Sequence, residues 1–110
     1  MMTRQNYHDV FCRRLKQARL AKGLSQKKLG IAAGIDEFVA STRINRYEKG
    51  IHQANIETIQ LLAEVLELPV AYFYTADDEL AELILAFQAL SPEEKQEILA
   101  LVKSRTEQRR

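Results

Sequence analysis

The sequence predicts an all-α fold. Three observations predict it: a composition weighted to helix formers, apolar residues recurring at helical spacing, and start and stop signals between the recurring stretches. Only four glycines and two prolines occur in 110 residues, while Leu, Ala, Glu, Lys and Gln dominate, and these lose little on entering a helix. With 46% apolar and 28% charged residues, the chain has the makeup of one domain built around a single core. No run of about 18 apolar residues is present to span a bilayer, and residues 1–9 lack the apolar segment of a signal peptide. A cytoplasmic location without a membrane partner is therefore expected. Cys12 is the sole cysteine, which excludes an intrachain disulfide and suits a reducing compartment.

In the first helix, Phe11, Leu15 and Ala18 recur at i, i+4 and i+7, with Arg13, Arg14, Lys16 and Gln17 left outward and Gly23 as the stop. Arg19 falls eight places after Phe11, on the apolar face, so its guanidinium needs a buried partner. Ser25 is placed to cap a second helix carrying Leu29, Ala32 and Ala33, which Gly34 leaves in a left-handed conformation. Lys27 and Lys28 stand in its first turn, where the helix dipole disfavours positive charge by a few tenths of a kcal/mol each. They are either two solvated lysines or a pair set for a phosphate, which would reverse the penalty.

The third helix ends at Gly50. Ala40, Ile44 and Tyr47 or Glu48 are spaced to face inward, and Ser41, Thr42, Asn45 and Arg46 outward. Glu48 lies four places after Ile44, near the buried stripe, so an Arg19 to Glu48 ion pair is predicted to fasten the first helix to the third. Beyond a connector at 51–55, Asn55 caps a fourth helix whose inward residues are Ile56, Ile59, Ala63 and Leu66. Leu68, Val70, Tyr72 and Phe73 then close the core around Pro69. Asp77 and Asp78 introduce a further helix with Leu80, Leu83, Ile84, Phe87 and Leu90 on one side. Ser91-Pro92-Glu93-Glu94 combines an N-cap, a proline at the first helical position and a capping-box glutamate. The last helix carries Ile98, Leu101 and Val102 inward and frays over 105–110.

Charge divides the chain unevenly. Residues 1–50 carry eleven Lys/Arg against four Asp/Glu, and residues 51–110 carry five against eleven. A basic half beside an acidic half points to an anionic polymer on one side, although solvated Lys/Arg faces are common on helical proteins. Catalysis has little to stand on. His8 and Cys12 are four apart on a helix but no second pair completes a metal site, and His52 lies in a loop as a surface residue or phosphate contact rather than a base. No nucleophile elbow, phosphate-cradling glycine loop or metalloprotease motif occurs, so neither an enzyme, a cofactor nor a metal is expected.

Taken together, Leu15, Arg19, Gly23-Leu24-Ser25-Gln26, Leu29, Gly34, Ile44, Tyr47-Glu48-Lys49-Gly50 and the stretch from Leu62 to Leu66 resemble the lambda-repressor-like helix-turn-helix domains, also called the Xre family. The likeness runs from about Phe11 to Tyr74. It implies a five-helix DNA-binding domain over 8–76, to which this chain adds a helical hairpin at 77–104 and a tail at 105–110. The resemblance further implies that the third helix enters the major groove of double-stranded DNA and that Gln26 contacts it. Carried over by position, Ser41, Thr42, Arg43 and Arg46 would read base edges, while Gln26, Lys28, Asn45, Lys49 and Asn55 would hold the backbone. An ion pair such as Arg19 with Glu48 also recurs in the family.

Three positions depart from the family pattern. The Gly34 to Gly50 interval is longer by about the length of Asp36-Glu37-Phe38-Val39, which extends either the turn or the third helix. Gly30 replaces an alanine, a loss of about 1 kcal/mol in helix propensity. Glu67 stands where a glycine often follows the fourth helix, so either the helix continues or Glu67 is strained.

The hairpin has too much apolar surface to stand alone. Leu83, Ile84, Phe87, Leu90, Ile98, Leu101 and Val102 would pack on the domain's own core or on a second copy, and a homodimer reading palindromic half-sites is the expectation. The resemblance thus implies a transcriptional regulator that represses by occupying an operator. An antitoxin or a restriction-modification controller would use the same surface, and an adapter that binds protein instead of DNA would keep the fold without the contacts.

Overall fold

The computed structural model describes residues 6–109. Residues 1–5 and Arg110 lie outside them, and with Arg110 the end of the tail expected at 105–110. The described residues form six α-helices and one 3-10 helix: α1 (Tyr7–Ala21), α2 (Gln26–Ala32), α3 (Ala40–Glu48), α4 (Ile56–Leu66), the 3-10 helix Val70–Tyr74, α5 (Asp78–Gln88) and α6 (Pro92–Glu107). No helix among them is long and apolar enough to cross a membrane.

Local chemistry sets the boundaries. Side-chain oxygens of Asn6, Ser25, Asn55 and Asp77 accept the orphan backbone N–H groups that open α1, α2, α4 and α5. Ser91 and Glu94 form a reciprocal capping box at α6. Gly34, at φ +91°, turns the chain away from α2 in the left-handed conformation expected of it. α3 begins only at Ala40, so the additional residues lengthen the turn: Phe38 N–H donates to Asp36 Oδ1 at 2.8 Å and Val39 N–H to the Asp36 carbonyl at 3.1 Å.

The core joins α1 to α4 and the 3-10 helix. Leu15, Leu29, Ile44, Leu62, Tyr72 and Phe73 are all but inaccessible, and burying one such aliphatic or phenyl side chain contributes about 1.5–3 kcal/mol. Phe11 packs on Phe73 with ring centroids 5.9 Å apart, and Tyr72 meets Phe73 edge-on at 5.4 Å. The four segments after Gly23 thus close over α1 around one cluster.

Several expectations need correction. Arg14, read as outward, is only 3% exposed, because carbonyls at the end of the 3-10 helix supply polar partners beneath an otherwise apolar neighbourhood. Ile56, read as inward, is exposed at the first position of α4. Glu67 resolves its alternative by strain: α4 stops and Glu67 takes φ 57°, ψ 42°, its carboxylate reaching Lys22 at 3.0 Å. Gly30 is more than a lost alanine, since a Cβ there would lie 2.8 Å from Ala40 Cβ; α2 and α3 cross where only a glycine fits. In the hairpin, Leu80, Leu83, Leu101 and Val102 do not face inward within the single chain but stay exposed, and α6 buries none of its residues. Helix α6 also continues through Arg105 to Glu107 instead of fraying after Ser104.

Candidate nucleic-acid interface

The third helix is held at a fixed orientation by one polar network. Arg19 Nε donates to Glu48 Oε2 at 2.6 Å, Nη2 to Oε1 at 3.1 Å and Nη1 to the Leu24 carbonyl at 2.9 Å. The paired side chains are 10% and 4% exposed, so this is a bidentate pair largely out of water. Gln26 Nε2 adds two bonds of 3.1 Å, to Glu48 Oε1 and to Asn45 Oδ1, and so links the start of α2 to α3. Every buried side-chain nitrogen or oxygen among the described residues has a partner.

That network frees the opposite face. Ala40, Ile44 and Tyr47 point into the core, and Ser41, Thr42, Arg43 and Arg46 are exposed on the far side of the same helix. Thr42, Arg43 and Arg46 share a shallow cleft of about 180 Å³ with Val39 and His52. Lys28 and Lys49 are exposed at the start of α2 and the end of α3. Asn45 is half-buried and tied to Gln26, leaving its amide nitrogen as the group that could meet a phosphate. Asn55 Oδ1 is committed to the Thr58 N–H at 2.8 Å, so its amide nitrogen is likewise what remains. Both Gln26 amide protons are used, to Asn45 and Glu48, and a phosphate contact by Gln26 requires that amide to turn away from one of them.

Two further residues border this face. His52, expected in a loop as a surface residue or phosphate contact, lies beside α3 because the Ile51 N–H donates to the Arg46 carbonyl at 2.9 Å and folds that loop back. Phe38, within the added stretch Asp36-Glu37-Phe38-Val39, is 87% exposed in the lengthened turn. The His8 and Cys12 pair, in contrast, is structural. His8 Nε2 lies 3.1 Å from the Gly50 carbonyl oxygen, which can only accept, so the ring's role there is to tie α1 to the end of α3. Burial, and then the nearby Asp9 carboxylate, pushes the Cys12 thiol up, so it stays protonated.

Comparisons with known proteins align with this geometry. A family model described as Helix-turn-helix matches residues 15–73. An uncharacterized HTH-type transcriptional regulator of Sinorhizobium medicae is 33% identical over 61 residues, covering 56% of this chain and 41% of its own length. A second, from Rickettsia conorii, is 34% identical over 75 residues, 68% of this chain and 57% of its own. The chain thus spans less than three fifths of the length of these curated relatives. The crystal structure of the transcriptional regulator BswR is 48% identical, with a TM-score of 0.80 over 84% of this chain and 92% of that one. Such a share exceeds what residues 1–73 could supply, so the likeness includes part of the C-terminal hairpin. With most of the core, the turn glycines and the Arg19 to Glu48 lock inside the matched segment, the chain belongs to the helix-turn-helix family of the lambda-repressor-like (Xre) kind.

Proposed function

We propose that the chain is a sequence-specific DNA-binding transcriptional regulator that acts as a homodimer and represses by occupying a palindromic operator. The observation that carries this reading is the exposed α3 face of Ser41, Thr42, Arg43 and Arg46, whose orientation the Arg19, Glu48 and Gln26 network holds against α1 and α2. An α-helix fits the major groove, and a rigid one delivers its side chains to base edges without further ordering. Arg46 is the principal reader: its planar fork can donate two hydrogen bonds to guanine N7 and O6, worth roughly 1 to 3 kcal/mol of discrimination. Thr42 and Ser41 suit shorter contacts near the start of the helix, and Arg43 reaches an adjoining base. Lys28, Lys49 and the amide nitrogens of Asn45 and Asn55 position the backbone, with Gln26 joining them when its amide turns. The two first-turn lysines of α2 are then explained, because a phosphate there offsets the dipole penalty.

Dimerisation is supported by the hairpin, where Leu83, Leu101 and Val102 lie exposed beside the half-buried Ile84, Phe87, Leu90 and Ile98. A two-fold pair built on that surface would set two α3 helices to half-sites about one helical turn apart. Selection of bound sites from random DNA, run with wild type and Arg46→Ala, tests the base-reading role. Wild type is expected to enrich an inverted repeat containing guanine, and Arg46→Ala to lose preference at that base. Equal enrichment of one motif by both proteins overturns the role of Arg46, and no enrichment by wild type at low salt overturns DNA binding. A monomer in light scattering at micromolar concentration overturns the dimer.

A further inference from the structure

The joint between the DNA-reading unit and the hairpin is crossed by one buried cation, Arg14, with the exposed Arg13 a looser 3.6 Å from the same Asp78 carboxylate. Arg14 is 3% exposed and spends its guanidinium on four partners. Nε donates to the Thr75 carbonyl at 2.9 Å, Nη2 to the Ala76 carbonyl at 3.1 Å and to Asp78 Oδ1 at 3.0 Å, and Nη1 to Gln17 Oε1 at 2.9 Å. Its guanidinium carbon also sits 5.9 Å from the centroid of the buried Tyr72 ring. Thr75 and Ala76 are the connector from the 3-10 helix, and Asp78 is the first residue of α5. Arg14 on α1 therefore grips three of the four residues that determine where α5 starts and which way it leaves.

Apolar packing at the same joint is thin. Ala81 is the one buried residue of α5, with Ile84 partly buried against the core. On one side of that contact lies an open cleft of about 250 Å³ between α1 and α5, lined by Arg13, Gln17, Glu82 and Leu85 among others. On the other side a cleft of about 340 Å³ separates α5 from the ends of α1 and α4. A small alanine between two clefts is a pivot rather than a clamp. Charge-assisted hydrogen bonds with a fixed fork geometry are what give such a pivot an angle.

We infer that Arg14 is a positioning residue that sets the spacing between operator half-sites, by fixing the direction in which the dimerising hairpin leaves the DNA-reading unit. This rests on the dimeric reading proposed above. In a two-fold dimer the separation of the two α3 helices follows from the angle of each unit to the shared hairpin, so a change at the joint moves the reading heads without touching their side chains. Arg14 lies on α1, apart from the exposed α3 face, and has no part in base contact.

The test is selection from random DNA long enough for two half-sites, with wild type, Arg14→Lys, Arg14→Met and Asp78→Ala. Asp78 is 76% exposed on its side chain, so Asp78→Ala keeps the fold even where an Arg14 variant does not. Wild type is expected to enrich paired half-sites at one spacing. The variants should enrich the same half-site sequence, with the preference for that spacing over its neighbours falling about tenfold for Arg14→Met, which removes every Arg14 bond at the joint, and about threefold for Asp78→Ala, which removes the contacts of Asp78 alone. Arg14→Lys, a point donor in place of a fork, should fall between them. Unchanged spacing in folded variants, with only a lower Tm, overturns the inference and leaves the dimeric reading intact. Single half-sites from wild type overturn the dimeric reading and the inference with it.

Discussion

Leu15 of α1 and Leu101 of α6 occupy like places on two helices of similar length, yet Leu15 is fully buried and Leu101 is 53% exposed. The segment from Tyr7 to Tyr74 supplies its own partners: five helical elements with apolar faces close on one cluster, and a bidentate ion pair fastens α1 to α3. Two helices cannot do this. The hairpin of α5 and α6 has caps as good as any in the molecule and still leaves Leu80, Leu83, Leu99, Leu101 and Val102 in water. Good local signals make a helix, but burying an amphipathic face needs enough neighbours to enclose it. The first region thus encloses most of its apolar faces and the second leaves much of its own open.

That contrast can be broken most directly at Arg19. Arg19→Ala strands the Glu48 carboxylate with only Gln26 as a side-chain donor, and should cost about 3 to 5 kcal/mol, read as a large fall in Tm. An unchanged Tm would mean that the pair contributes nothing to closing the first region. Next comes Gly30→Ala. Propensity alone says it stabilises α2 by about 1 kcal/mol. The 2.8 Å approach to Ala40 Cβ says instead that α2 and α3 must part, a net loss of about 1 to 3 kcal/mol with weakened DNA affinity. Chemical denaturation gives the sign, and a gain would show that the crossing is looser than its geometry implies.

Smaller and opposite in sign is Glu67→Gly. Removing a Cβ from a residue at φ 57° should stabilise by about 1 kcal/mol, less whatever the exposed Lys22 contact contributes, and Tm rises by a few degrees. Smallest for the single chain is Leu101→Ala, expected to move monomer stability by less than about 0.5 kcal/mol because nothing in the chain covers that side chain. If the chain dimerises through the hairpin as proposed, the same change should raise the dissociation constant about tenfold in sedimentation equilibrium. A large loss of monomer stability would instead mean that α6 packs in cis, and the contrast between the two regions would dissolve.

Sequence alone determined the elements and much of their roles, because caps, turn glycines and helical periodicity act within a few residues. Ser25, Gly34, Asn55, Asp77 and the Ser91 to Glu94 box lie where local chemistry requires them, and the position of Arg19 on an apolar face already demanded a partner like Glu48. Whatever depended on a distant element was decided by tertiary structure. Arg14 looked like any outward arginine until the carbonyls of Thr75 and Ala76, some sixty positions away, came to meet it. Gly30 looked like a weak spot in a helix until Ala40 arrived against it, and His52, a surface residue or phosphate contact by sequence, came to lie beside α3 only when the chain folded back. Periodicity marks which side of a helix avoids water; only the assembled fold says whether anything is there to cover it.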